Sequence, residues 1–388
     1  MNASDLAARV GNIAPFYVME LVNKAIALEK EGHHLIHMGV GEPDFTAPPA
    51  VVAAATEAMV AGKSQYTSAA GLLVLREAIA AHYLSVYGVT VDPARIVVTA
   101  GASAALLLAC AALVDKGAQV LMPDPSYPCN SNFVAAFDGQ AVLIPSGPDN
   151  RYQLTAEMVS SHWGDATRGV LLASPSNPTG TSISKPALTE ILDVVAQKGG
   201  FAIVDEIYLG LSYEGQPTTA LSLSDDVIVI NSFSKYFNMT GWRLGWLVLP
   251  ERLVPAVEKL AQNLLICPPT LAQYAAVACF TDESIAIYET RKAEFKRRRD
   301  YIVPALQALG FKIPVVPDGA FYVYADCTAL TDNAEQFCLD LLYKAGVVIT
   351  PGLDFGPYTA HTHVRFSYAN SLENLQEAVR RIAAFLQK

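Results

Sequence analysis

One lysine, Lys235, stands among hydroxyls and just ahead of an arginine in the stretch Asn231-Ser-Phe-Ser-Lys-Tyr-Phe-Asn-Met-Thr-Gly-Trp-Arg-Leu-Gly245. Ser232 and Ser234 precede it and Arg243 follows. Apolar runs flank the stretch, Val227-Ile-Val-Ile230 before it and Leu244-Gly-Trp-Leu-Val248 after it. A lysine amine condenses with an aldehyde to form a Schiff base, while hydroxyls and a guanidinium hold a phosphate. Pyridoxal 5'-phosphate carries both groups.

The order Ser-x-Ser-Lys, then Arg-x-Gly, resembles the cofactor-lysine signature of the class I/II aminotransferases, the fold type I architecture of the aspartate aminotransferase superfamily. The resemblance runs from about Ile13 to Phe385, with its motifs in the family's order. Asp205 closes an apolar run and opens Asp-Glu-Ile-Tyr208. A carboxylate there pairs with the protonated pyridine nitrogen of the cofactor and keeps the ring an electron sink. Tyr208 would reach the ring's phenolic oxygen. An aspartate at such a place also caps helices, and Glu206 reads as structural. In Ser174-Pro-Ser-Asn-Pro-Thr-Gly180, a polar turn after a buried run, Asn177 matches the asparagine that the family sets at the same oxygen.

Thr99-Ala-Gly-Ala-Ser-Ala-Ala105 begins a helical run. Small residues let backbone N–H groups approach a phosphate at a helix N-terminus, which nominates Gly101, Ala102 and Ser103. The resemblance implies that Tyr127, in Pro123-Asp-Pro-Ser-Tyr-Pro128, stacks on the cofactor ring. It implies that Tyr66 reaches the phosphate in a neighbouring subunit, which requires a homodimer. Arg365, in His-Val-Arg-Phe-Ser367, matches the arginine that grips the substrate α-carboxylate through its planar fork. The turn Gly39-Val-Gly41 would line the same carboxylate. It is not a dinucleotide fingerprint, because Asp44 stands where the last glycine belongs. His361 and His363 fall near Arg365 on one expected strand face, with no third ligand, so no metal is expected.

The implied reaction is transamination by a ping-pong mechanism, moving an amino group from an L-amino acid to a 2-oxo acid, with 2-oxoglutarate the family's usual acceptor. Lys235, once displaced, would carry a proton from the substrate Cα as general base and then acid. Ser103 stands where some aspartate-specific relatives carry a lysine, and Phe16 would lie over the side-chain pocket. Both favour neutral or aromatic donors. Alternatives with the same residues are an aspartate aminotransferase and a carbon–sulfur β-lyase. A non-catalytic regulator would add a basic DNA-binding segment, and none precedes residue 13.

These residues need a scaffold. Short apolar runs alternate with helical patterns: Ile96–Thr99, Gln119–Met122, Ala141–Ile144, Gly169–Ala173, Phe201–Asp205, Val227–Ile230 and Leu244–Val248. Runs apolar on consecutive positions read as strands buried on both faces, hence an α/β fold with a mostly parallel seven-stranded sheet between helices. Ligands bind at the carboxyl ends of such strands, where Gly101, Tyr127, Asn177, Asp205 and Lys235 fall. The expected division is an N-terminal segment 1–45, a large cofactor-binding domain 46–288 and a smaller α+β domain 289–388. The last would hold a charged helix from Ile285 to Leu309, strands at Phe311–Val316, Phe321–Tyr324, Val347–Ile349 and His363–Ser367, and a final helix from about Leu372 to Gln387.

Of 388 residues, 52% are hydrophobic and 16% charged, which supplies a large core. A net charge of −10 argues against a nucleic-acid partner. The basic cluster Lys296-Arg-Arg-Arg299 reads as a solvated helix face. Six scattered cysteines without a C-x-x-C pair suit reduced thiols in the cytoplasm. Met1–Leu6 shows no secretory leader, and the apolar stretch Ala104–Val114 is too short to cross a membrane.

Overall fold

The computed structural model describes residues 6–11, 13 and 15–387. The leader expectation therefore rests almost wholly on residues outside them. Among these residues twelve strands follow in chain order: β1 (Ile36–His37), β2 (Ile96–Thr99), β3 (Gln119–Asp124), β4 (Gln140–Pro145), β5 (Thr167–Ala173), β6 (Phe201–Asp205), β7 (Ile228–Ser232), β8 (Gly245–Val248), β9 (Tyr322–Asp326), β10 (Val347–Val348), β11 (Thr350–Pro351) and β12 (His363–Ser367). Seven form one sheet in the order β2-β8-β7-β6-β5-β3-β4. Only β8 runs against its neighbours β2 and β7; the mostly parallel α/β sheet is thus as expected.

The consecutive apolar runs are explained by the alternation of a pleated strand. Ile203, Ile228, Ile230, Leu247 and Val97 face the helices Ala102–Leu113 and Val254–Leu264. Their neighbours Val204, Val229, Trp246, Val248 and Val98 face the opposite layer, which includes the helices Leu73–Tyr87 and Lys185–Gln197. Each such side chain, fully buried, contributes on the order of 1.5–3 kcal/mol. Both faces being covered, polar chemistry is left to the strand ends.

Elsewhere β11, β12 and β9 form an antiparallel sheet, and β1 pairs in parallel with β10. The N-terminal helix Tyr17–Lys30 buries Leu21 and Ala25 against Leu342 and Val348. The charged helix spans Asp282–Ala308, capped by Thr281, whose Oγ1 accepts from the Ser284 N–H at 3.3 Å.

Three expectations are corrected. Phe311–Val316 is not a strand: only Lys312 bridges to Asp326. Pro314 and Pro317 lack the N–H groups that a ladder needs. The basic cluster is only half solvated. Arg298 and Arg299 are 4% and 6% exposed. Arg298 grips both Asp44 oxygens, at 2.7 and 2.9 Å, and Arg299 reaches Glu214 at 2.9 Å and the Pro317 carbonyl at 3.0 Å. His361 lies in the turn before β12, so it does not share a strand face with His363. Among the described residues no three His, Cys, Asp or Glu side chains form a metal-sized group.

Candidate active site

The carboxyl ends of β5, β6 and β7 meet the edge of the second sheet around a cavity of about 390 Å³. It is lined by Lys235, Asp205, Tyr208, Asn177, Tyr127, Ser232, Ser234, Arg243, Ala102, Ser103, Gly41, Phe16 and Arg365. Thus nearly every residue singled out from sequence lines one space. Gly101 adjoins it through Arg243. Tyr66 does not line it and is 85% exposed.

Lys235 follows β7 on a turn closed by β8, where Ser232 pairs with Gly245. A Cβ on Gly245 would lie 2.8 Å from the Ala102 nitrogen and the Asn231 carbonyl, so the close approach of two backbones demands glycine there. The Lys235 amine donates to the Gly41 carbonyl at 2.6 Å. Burial pushes its pKa down to about 8, helped by Arg365 and Arg243 and opposed by Glu42 and Asp205. Condensation with an aldehyde needs the neutral amine, and this environment supplies it near neutral pH.

Beside the lysine lies an anion cradle. The helix Ala102–Leu113 starts at Gly101 with no side-chain cap, which leaves first-turn N–H groups for another acceptor. Gly101 has φ 82°, and a Cβ there would stand 2.8 Å from Arg243 Nη2. Arg243 itself is in the left-handed region and anchors Nη1 on the Thr240 carbonyl at 2.9 Å. Ser232 donates within the turn, to Ser234 Oγ at 3.0 Å or the Leu244 carbonyl at 3.1 Å, so the Ser234 hydroxyl proton is available to a ligand.

Asp205 ends β6 in register with Ala173 and Ile230. One oxygen accepts from the Ile207 N–H at 3.0 Å, a local turn bond that leaves the other to the cavity. Burial raises its pKa to about 6, against the pull of Ile207 and Lys235. A buried carboxylate of this kind asks for a cation. Its cost to the cofactor-free fold is absent below the usual 3.8, grows as pH rises from there to about 6 and is complete above that. The gap between about 6 and the usual 3.8 corresponds to on the order of 3 kcal/mol. Asp205→Asn is therefore expected to raise the thermal midpoint of cofactor-free protein at pH 8 and to raise it far less at pH 4, where the cost has only begun. A midpoint that moves equally at both pH values would rule out the ionisation as its cause. Glu206, one residue on, turns away, accepts from the Ala220 N–H at 2.6 Å and Thr219 at 2.9 Å, and serves the fold, as expected.

Arg365 sits on β12 between Thr350 and Tyr324. Nη1 donates to Asn177 Oδ1 at 2.6 Å and Nη2 to the Gly39 carbonyl. Its guanidinium lies 4.5 Å from the Tyr322 ring centre and 4.7 Å from that of Phe355. Phe16 meets Tyr127 edge-on at 6.3 Å. The segment that carries Phe16, Val18 and Met19 is fastened from below: Asp354 accepts from the Tyr17 N–H at 3.0 Å, and the Tyr17 hydroxyl donates to Glu335 at 2.8 Å.

Tyr322 escaped the sequence reading. It lines the cavity, and its hydroxyl lies 2.7 Å from that of Tyr208. A tyrosine in a strand run carries no signal of chemistry; Gly41 is the nearest clue, since a Cβ there would lie 1.8 Å from the Tyr322 hydroxyl. Glu42, Thr240, Val18 and Met19 also line the cavity unannounced.

A buried amine, a cation-seeking carboxylate and an uncapped helix start with two serines and an arginine fit the aldehyde, pyridinium and phosphate of pyridoxal phosphate. Comparison with known proteins agrees. Residues 33–382 match the family model described as aminotransferase class I and II. The valine–pyruvate aminotransferase of Mycobacterium tuberculosis is 40% identical over 385 residues, 99% of either chain. A crystal structure of an aminotransferase from the same organism superposes with a TM-score of 0.95 at 41% identity, covering 98% of this chain and 99% of that one. The aspartate aminotransferase of Thermus thermophilus, solved with maleate, superposes with a TM-score of 0.93 at 33% identity, covering 98% and 99%.

Proposed function

Because this chain belongs to the class I and II aminotransferases, enzymes that depend on pyridoxal phosphate, we propose that it moves amino groups from neutral L-amino acids to a 2-oxo acid. One observation carries the choice of donor. The cations lining the cavity among the described residues are Lys235, Arg243 and Arg365. In this reading they serve the aldehyde, the phosphate and the α-carboxylate. The remaining wall carries the apolar side chains Phe16, Val18, Met19, Leu106 and Ile207, Ser103 is neutral, and the Glu42 carboxyl adds no cation. A side-chain carboxylate would enter without a partner, at a cost of several kcal/mol. The name of the Mycobacterium tuberculosis relative points the same way.

Pyridoxal phosphate, when bound, takes the amino group in one half-reaction and returns it in the other, so the kinetics are ping-pong. Asp205 holds the pyridinium charge, Asn177 and Tyr208 address the phenolic oxygen, and Tyr127 covers the ring. Gly101, Ala102, Ser103, Ser232, Ser234 and Arg243 hold the phosphate. Arg365, with the turn at Gly41, orients the α-carboxylate so that the Cα–H faces Lys235. The freed Lys235 amine then moves that proton.

For the acceptor, 2-oxoglutarate is the family's usual choice, but the cavity wall offers its second carboxylate no uncommitted cation, and pyruvate is the acceptor that this wall favours. The proposal extends to a homodimer in which Tyr66 completes the neighbouring site, to a large domain 46–288 with a smaller one from 289–388 and the N-terminal segment, and to a reducing cytoplasmic setting suited to six unpaired thiols. Among the described residues no helix is long and apolar enough to cross a membrane.

The test is the visible spectrum of protein loaded with pyridoxal phosphate, followed with single amino acids and no oxo acid. Valine, leucine or alanine is expected to bleach the lysine-bound band at least about tenfold faster than aspartate, the factor that 1.4 kcal/mol of mismatch gives. Aspartate outrunning all neutral donors would overturn the neutral-donor reading. Release of pyruvate and ammonia from a cysteine conjugate, in place of reversible bleaching, would point to the lyase.

A further inference from the structure

We propose that Tyr322 is a positioning residue that couples the two halves of the site, its hydroxyl donating to Tyr208 and its ring seating the guanidinium of Arg365. The inference rests on the function proposed above and extends it to a residue with no role there.

Three observations meet at this side chain. Tyr322 and Tyr208 are 1% and 4% exposed, and the 2.7 Å contact between them is the one hydrogen bond that either hydroxyl makes among the described residues. The rings stand nearly perpendicular, at 81°, so the contact is a bond between oxygens and not a stack. The Tyr322 ring lies 4.5 Å from the Arg365 guanidinium, close enough for cation–π attraction in a site shielded from water. The Gly39–Gly41 turn is shaped around the same hydroxyl, since a Cβ at Gly41 would stand 1.8 Å from it. The Gly39 and Gly41 carbonyls of that turn accept from Arg365 and from Lys235. One phenol thus touches Tyr208, Arg365 and the turn whose carbonyl accepts from Lys235.

The bond has a direction in the loaded enzyme. Tyr208 lines the cavity and must donate outward to an anionic ring oxygen, which leaves its own oxygen to accept from Tyr322. A phenol that accepts one hydrogen bond is a stronger donor of the next. Tyr322 therefore lowers the pH at which the lysine-bound cofactor loses its proton. Tyr322→Phe keeps the ring and removes only this contribution.

The experiment is a spectrophotometric pH titration of loaded enzyme. In Tyr322→Phe the midpoint is expected to rise by about half a pH unit, a fraction of one neutral hydrogen bond. In a Tyr208→Phe background the same substitution is expected to shift nothing. An unchanged midpoint in the single variant, or an equal shift in both backgrounds, would overturn the relay. Tyr322→Leu removes the ring as well. It is expected to raise KM for the amino donor about fivefold or more, as loss of roughly 1 kcal/mol of cation–π attraction would, while Tyr322→Phe leaves KM unchanged. Equal KM in the two variants would overturn the seating of Arg365. If wild-type protein forms no lysine-bound band at all, the failure lies with the Lys235 assignment beneath the inference.

Discussion

Lys235→Ala is expected to lower turnover by about four orders of magnitude or more. Two losses combine. In the proposed mechanism the amine both tethers the aldehyde and moves the substrate proton, and positioned acid–base groups alone are worth about 10²–10⁴. No other amine lines the cavity among the described residues. The Ser232 hydroxyl is engaged in its turn and that of Tyr208 pairs with Tyr322, while Ser234 serves the phosphate in the proposed reading. The fold should tolerate the change, because the lysine gives up one bond, to the Gly41 carbonyl, and burying its charge is unfavourable. The variant is expected to melt at or above the wild-type temperature while losing the lysine-bound absorption band. Steady-state rates with valine and an oxo acid test the first claim. Turnover within tenfold of wild type would remove Lys235 from the mechanism.

Arg365→Lys is expected to cut kcat/KM for the amino donor by about 100- to 1,000-fold, with KM carrying much of the loss. The cost of disturbing a buried, hydrogen-bonded cation is typically 2–5 kcal/mol. Here the planar fork makes two bonds at once, to Asn177 and the Gly39 carbonyl, and lies between the Tyr322 and Phe355 rings. An ammonium is a point charge on a thinner stem and reproduces neither the fork nor the stacking. Asn177 would lose its donor as well, so the effect should exceed that of a simple charge-preserving change. Measured KM values for donor and acceptor decide it: both substrates carry the α-carboxylate, and both should weaken. A KM change confined to one of them would place the common carboxylate elsewhere.

Much of the site was legible because its residues stand where rigid elements end. Asp205, Lys235 and Asn177 follow runs that are apolar on every position, and such runs fix both the strand and its end. Gly101 and Gly245 were legible as motif letters, but the reason for them is steric: one admits the Arg243 guanidinium and the other two backbones. Tyr322 was not legible, since its role depends on contacts with Tyr208, Arg365 and Gly41, far apart in sequence. Arg298 and Arg299 misled for the same reason. Their partners Asp44 and Glu214 lie in other segments, whereas the local pattern with Glu294 is that of an exposed face. The strands β1 and β11, of two residues each, are too short to leave any periodic trace, whereas β10 falls within the expected run Val347–Ile349.

The fastening of Tyr17 to Asp354 and Glu335 has a consequence for how such an enzyme diversifies. In the proposed reading the reacting groups hang from the large sheet, but the wall that greets the substrate side chain is a strip of chain held by two carboxylates, one on the Tyr17 N–H and one on its phenol. Appetite and chemistry are therefore carried by parts that can vary apart. Changes around residues 354 and 335 could tilt the strip and retune which donors enter, with the reacting groups left where they were.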